Sequence, residues 1–156
     1  MSDVNLFSVA VTEDADEPAG YGTRYARIGP LVGSELLGLS VYELPPDQSI
    51  CPYHYELGCD EWLLVLSGRP TLRTPGGERE LRPWDCVFFP DGEEGAHKVT
   101  NRTGETLRVA MLSNRSEPGA AGYPDSGKIG IWPPGELFRL ADTVDYFDGE
   151  LPAPPG

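Results

Sequence analysis

Short apolar or alternating runs, cut by turn residues every eight to twelve positions, dominate the chain, and no stretch of twelve residues keeps a helical 3.6-residue period. This pattern predicts an all-β protein. The expected strands are LLGLSVYEL (36–44), EWLLVLSG (61–68), PTLRT (70–74), DCVFFP (85–90), HKVTN (97–101) and TLRVAMLS (106–113), rich in Val, Phe and Leu. Between them LPPDQ, TPGGERE, PDGEEG and NRTGE carry the turn residues, and Thr74-Pro75-Gly76-Gly77-Glu78 reads as a hairpin tip. The strand lengths suit a sandwich or barrel.

The flanks are less regular. Residues 1–33, with a candidate strand at TRYARI, are expected to lie as an arm across the body, while the tail from 117 to 156 offers KIGIW and VDYF as further strands and an LPAPPG end that should fray. A chain of 156 residues and 17.0 kDa fits one domain over its whole length, with the barrel core at about 36–113.

Charge narrows the partners. Twenty-five acidic against 12 basic residues, a formal charge of -13, repel phosphate backbones and anionic headgroups, so neither nucleic acid nor membrane is the expected partner. The N-terminal sequence has no basic start and no apolar run, and the expected location is cytoplasmic. Cys51, Cys59 and Cys86 show no CxxC spacing and are read as reduced thiols. The stretch YPDSGKIG lacks the full phosphate-loop spacing and reads as a turn, and Trp62, Trp84 and Trp132 read as core or interface aromatics.

The chemistry concentrates around the two histidines of the chain, His54 and His97. On a strand, residues two apart share a face, so His54 and Glu56 project together, with Tyr53 and Tyr55 opposite. A turn at Leu57-Gly58-Cys59-Asp60 would return Glu61 beside them, and His97 would join from a later strand. Two imidazoles and two carboxylates form a nitrogen and oxygen ligand set of the kind that holds a divalent transition metal.

These residues also carry a family likeness. His54, Glu56, then Glu61 after four residues and Gly68 after six more resemble the first motif of the cupin superfamily, G(X)5HXH(X)3-4E(X)6G, and Pro90, Gly92, His97 and Asn101 echo the second, G(X)5PXG(X)2H(X)3N. The chain departs from the pattern at four places. Glu56 replaces the second histidine, four residues rather than two separate Gly92 from His97, and Gln48 and Trp84 replace the opening glycines. Asp47, beside Gln48, tolerates turn conformations, whereas Trp84 in a left-handed conformation would be strained.

The resemblance implies a double-stranded β-helix, or jelly-roll cupin barrel, with an N-terminal arm and a wrapping C-terminal tail, assembled as a homodimer. It implies a pocket for a small-molecule ligand or substrate, with His54, Glu61 and His97 as metal ligands and Glu56 as a fourth ligand or a catalytic base. Iron, manganese, nickel and zinc all suit the set, and two histidines with one carboxylate resemble the facial triad of non-haem iron oxygenases. The family's fold hosts dioxygenases, isomerases and non-catalytic sugar-binding barrels, so both a metalloenzyme and a binding module are open at this point.

Overall fold

The computed structural model describes residues 3–13, 16–115 and 117–150. Thirteen strands appear among them: β1 (Thr12–Glu13), β2 (Arg24–Arg27), β3 (Leu37–Leu44), β4 (Tyr55–Leu57), β5 (Glu61–Ser67), β6 (Thr71–Thr74), β7 (Gly77–Glu80), β8 (Cys86–Phe89), β9 (Lys98–Thr100), β10 (Leu107–Asn114), β11 (Gly119–Tyr123), β12 (Lys128–Trp132) and β13 (Glu136–Arg139). A single turn of helix, α1 (Ile28–Val32), follows β2.

The strands form three antiparallel sheets with the orders β1-β2-β3-β10-β5-β8, β13-β12-β11-β4 and β7-β6-β9. The strand expected over 36–44 is β3, and it pairs along its whole length with β10, Leu44 opposite Leu107 and Leu37 opposite Asn114. This is the antiparallel, non-consecutive pairing of a jelly roll.

Period-two alternation divides the apolar residues between two layers. Leu44, Leu63, Val65, Leu72, Leu81, Phe89, Val99, Leu107 and Val109 face inward as one buried cluster. Val41, Leu66 and Ala110, from the opposite faces of the same strands, join Ala26 and Ile28 in a second cluster, which Val4, Leu6, Val9 and Val11 of the N-terminal arm cover. The arm thus caps the outer face of the six-stranded sheet. Arg108 ties it down by donating to the Val9 carbonyl at 2.8 Å and pairing with Glu43 at 2.7 Å.

Several local expectations change. The VDYF segment (144–147) is not a strand: Phe147 N donates to the Asp145 carboxylate and Asp148 N to the Asp145 carbonyl, so the short acidic side chain organises a turn there. LPAPPG, at 151–156, lies outside the described residues. GERE, read as loop, is strand β7, closing the expected hairpin with Thr74 opposite Gly77. None of the three tryptophans is core, because Trp62, Trp84 and Trp132 are 44%, 67% and 41% exposed; Trp62 rests on Phe88 and Trp84 on Phe7. The YPDSGKIG turn joins β11 to β12, and its Asp125 receives both guanidinium nitrogens of Arg73 at 2.6 and 2.8 Å.

Of the two positions where the chain lacks a motif glycine, Trp84 has positive φ, at 74°, while at the other the positive φ falls on Asp47, beside Gln48, at 62°. Asp47 is a residue type that visits this region, and its N–H is held by the Asn101 carbonyl at 2.9 Å. Trp84 adopts the strained conformation, with its N–H donated to the Val65 carbonyl at 2.8 Å.

Candidate metal centre

Each side chain of the cluster comes from a different sheet. Glu61 opens β5 in the six-stranded sheet, His54 immediately precedes β4 in the four-stranded sheet, and His97 immediately precedes β9 in the three-stranded sheet. The two histidines face one another in an isolated antiparallel bridge, with His54 N donating to His97 O at 3.1 Å and His97 N to His54 O at 2.8 Å. The turn after β4 returns the chain to Glu61 as expected. Gly58 N donates to the Asp91 carboxylate at 2.8 Å and Asp60 N to the Asn114 side chain at 2.7 Å, which fixes that turn.

The two extra residues before His97 have a structural place. Glu93–Gly95 form a turn of 3-10 helix, in which Gly95 N donates to Gly92 O and Ala96 N to Glu93 O, and Gly92 N is anchored on the Glu56 carbonyl at 2.8 Å. Gly95 lies against the Pro90 carbonyl so closely that any Cβ would overlap the backbone. The compact turn delivers His97 to the bridge despite the longer spacing.

Both rings are oriented alike. Nδ1 of His54 lies 3.0 Å from the Pro52 carbonyl and Nδ1 of His97 lies 2.9 Å from the Gly95 carbonyl. A carbonyl only accepts, so each Nδ1 carries a proton and each Nε2 points to the interior, where it offers a lone pair whenever the ring is neutral. There Nε2 of His54 is 3.5 Å from Glu56 Oε1, and Nε2 of His97 is 3.5 Å from Glu61 Oε2. The His97 ring stacks on Phe89, centroids 3.8 Å apart and planes within 9°, which leaves it little rotational freedom.

One ligand atom from each of His54, Glu61 and His97 lies within 4.8 Å of the others, so these three could hold a metal ion. Ligand atoms around an ion bonded at about 2.1 Å sit roughly 3–4 Å apart, so a small contraction closes the set. Two of the atoms, Glu61 Oε2 and His97 Nε2, are buried and make no hydrogen bond. Orphaned buried polar atoms are costly, and a cation between them removes the cost. Glu56 lies outside this cluster of three but beside it, on the cavity wall.

Without metal, proximity spreads the titrations apart. Burial, reinforced by the His54 charge, pushes His97 down to about 4. Burial and the Glu56 carboxylate raise Glu61 to about 7. Burial alone would lower His54, but Cys51, whose sulfur is 3.4 Å from Nδ1, and Glu56 outweigh it and move the imidazole up.

The cluster forms one wall of a cavity of about 950 Å³, large enough for a small organic molecule. Ile50, Val99 and Met111 give the cavity apolar walls, while Tyr42, Tyr123 and Trp132 supply aromatic ones. Tyr53 and Tyr55, expected on the opposite side from His54, are absent from its lining: Tyr53 packs under Arg73, 3.9 Å from the ring centroid, and Tyr55 lies over Gly122, where a side chain would leave the ring no room. Cys51, Cys59 and Cys86 are free thiols, and only Cys51 reaches the cavity. Arg27, Tyr42 and Tyr123 escaped sequence reasoning, since a lone cation or phenol within a strand carries no spacing signature.

Comparison with known proteins agrees with this architecture. Residues 40–113 match the Cupin domain family model. No match exists among curated proteins. Among solved structures, the chain is similar to a putative sugar phosphate isomerase from Acidithiobacillus ferrooxidans, at 27% identity over 81% of each chain and a TM-score of 0.75. A sugar phosphate isomerase of the cupin superfamily from Silicibacter pomeroyi shares the fold at 23% identity, covering 94% of this chain and 98% of that one with a TM-score of 0.80. A polyketide cyclase from Streptomyces resistomycificus is 26% identical over 73% of this chain and 79% of its own, with a TM-score of 0.60. The jelly-roll barrel and the paired histidines facing its interior agree with the Cupin domain match over the central strands, residues 40–113.

Proposed function

We propose that the protein is a metal-dependent enzyme that isomerises a small hydroxycarbonyl compound in the barrel cavity. The observation that carries this reading is the convergence of His54, Glu61 and His97 on one point of the cavity wall, with two buried ligand atoms unpartnered and a second carboxylate, Glu56, next to them. The likeness at 27% identity to a putative sugar phosphate isomerase supports the reaction class.

His54, Glu61 and His97 would hold the ion, and iron, manganese, nickel or zinc all suit two imidazoles and a carboxylate. Such an ion supplies Lewis-acid polarisation of a substrate oxygen. Glu56 is the general base in this reading. Its carboxylate takes the proton from the hydroxyl-bearing carbon next to the substrate carbonyl and returns it to the former carbonyl carbon, while the hydroxyl proton passes to the former carbonyl oxygen, so the step is redox-neutral and needs no co-reactant. The apolar walls of Ile50, Val99 and Met111 limit water around the transferred proton.

One observation favours a second reading: two histidines with one carboxylate also fit oxygen activation by iron(II). Elemental analysis of tag-free protein, followed by exchange assays, separates the readings. Metal near one equivalent, lost in Glu61→Gln and His97→Ala, with Glu56→Gln retaining metal but failing to exchange substrate protons with solvent, is the expected result. Iron with oxygen uptake would favour the oxygenase. Failure of the wild type to take up any metal on reconstitution would sink both and leave a non-catalytic small-molecule binding barrel.

We also propose a homodimer and a cytoplasmic location. The tail exposes Leu137, Phe138, Val144, Tyr146 and Phe147, which give a second copy apolar area to bury, and three free thiols suit a reducing compartment. Sedimentation at micromolar concentration tests the dimer, and a monomer there would refute it.

A further inference from the structure

We infer that Arg27 is the residue that selects the substrate, by binding an oxyanion, phosphate ester or carboxylate, at the end of the cavity away from the histidines. The inference rests on the reading of this cavity as the substrate site.

Its basis is the placement and isolation of one charge. Ala26 packs into the outer cluster, so its neighbours Tyr25 and Arg27 face inward, and both line the cavity that His54, Glu61 and His97 wall on another side. The guanidinium carbon of Arg27 stands 5.9 Å from the centroid of the Tyr25 ring, a cation-π distance that steadies the head group without consuming its hydrogen bonds. In a chain with 25 acidic and 12 basic residues, most arginines find a carboxylate. Arg24, Arg69, Arg73, Arg102, Arg108 and Arg115 all have one within 4.0 Å, whereas Arg27 has no ion-pair partner among the described residues. Arg79, Arg82 and Arg139 also make no ion pair, but they lie off the cavity, whereas Arg27, exposed like them, lines it.

The charge on Arg27 gives the ligand's sign. Two acids of the lining, Glu56 and Glu61, belong to the histidine end of the cavity. The third acid of the lining, Glu17, is turned to the Thr23 N–H at 3.3 Å. Arg27 is the one arginine or lysine of the lining, and its planar fork matches the paired oxygens of a carboxylate or phosphate.

Register gives the ligand's size. Arg27 lies opposite Ser40 on β3, Ser40 opposite Met111 on β10, and Met111 opposite Leu63 on β5, two residues from Glu61. Three strand spacings separate the Arg27 and Leu63 backbones by at most about 14 Å, since curvature shortens the span. Side chains reach inward from both ends, so a ligand that touches both the cluster and Arg27 needs only a few carbon atoms.

Calorimetric titration of chelator-stripped protein with inorganic phosphate, acetate, ribose 5-phosphate and ribose tests this without any activity. The wild type should bind at least one of the anions saturably, and Arg27→Ala should weaken that anion roughly 10- to 100-fold. Arg27→Lys should restore only part of the loss, because an ammonium cannot offer the fork. Preference for phosphate over acetate identifies an ester, and the reverse a carboxylate. Metal content of Arg27→Ala after loading should equal that of the wild type, which shows that the variant has folded with its cluster formed. No saturable anion binding by the wild type, or equal binding by Arg27→Ala, overturns the inference. Anion binding lost in Arg27→Ala from a protein that takes up no metal would leave the anion site standing while removing the metal reading. A loaded wild type with no Arg27-dependent anion site would do the opposite.

Discussion

Gly95→Ala adds a single methyl group at a point where the structure has no space for it. A Cβ there overlaps the Pro90 carbonyl, and because the obstacle is backbone rather than a flexible side chain, the 90–97 segment itself has to move. Overpacking of this kind costs about 1–3 kcal/mol. For a domain of about 150 residues each kcal/mol lowers the melting midpoint by about 2–4 °C, so a drop of roughly 2–12 °C is expected in scanning calorimetry of the metal-free protein. A second consequence is chemical. The Gly95 carbonyl is the acceptor that fixes the His97 tautomer at 2.9 Å, and disturbing a partner of a metal-ligating imidazole weakens metal by about 10- to 100-fold. Competition with a chromophoric chelator measures that factor. Gly104→Ala is the control, since nothing lies within 4 Å of a Cβ there, and it should be neutral in both assays. If Gly95→Ala matched Gly104→Ala in melting and in metal affinity, the account of how the longer loop delivers His97 would be wrong.

Asn101→Ala should destabilise the fold by about 3 kcal/mol in urea titrations, because the fully buried amide donates to Leu44 O and Glu105 O at 2.8 Å and accepts from Thr103 N and Oγ1 at 2.9 and 2.7 Å. A loss below about 1 kcal/mol would contradict that role. Trp84→Gly should come out within about 1 kcal/mol of wild type, relief of left-handed strain offsetting glycine's entropy and the lost Phe7 contact, whereas Trp84→Val should be clearly less stable than either. Equal stability of Gly and Val at this position would refute the strain argument. Metal binding should release about one more proton at pH 6 than at pH 8, as read by calorimetry in buffers of different ionisation enthalpy, because Glu61, raised to about 7, must ionise to ligate while His97, lowered to about 4, is neutral at both values. The same raised value makes Glu61's contribution to metal-free stability present below its ordinary carboxylate value and lost as pH rises through about 7. Equal proton release at the two pH values would rule out Glu61 as the titrating ligand.

The strands legible in the sequence are those whose burial follows a two-residue period. β3, β5 and β10 send alternate residues to the two apolar layers, and the pattern in EWLLVLSG or TLRVAMLS records that division. β11 left no such record. GAAGY has small residues because Gly122 must make way for the Tyr55 ring, so a demand from a neighbouring strand removed the hydrophobic signal that would have announced it. The VDYF segment failed in the other direction, its apolar residues standing exposed while Asp145 bends the backbone. At the candidate site, spacing was enough to bring His54, Glu61 and His97 together. It was not enough for Arg27, which meets the cavity through strand register alone.

The three candidate ligand side chains adjoin three separate sheets, and the two histidines meet across a bridge between residues 43 positions apart in the chain. A metal ion bound there acts as a rivet. Because the unfolded chain has no such cluster, the ion also binds the native state alone, and each tenfold excess over its dissociation constant adds about 1.4 kcal/mol to folding. Chelation therefore loosens the seams between sheets before it loosens any sheet, and amide exchange at the edges next to His54 and His97 should quicken while the paired centre of β3 and β10 keeps its protection.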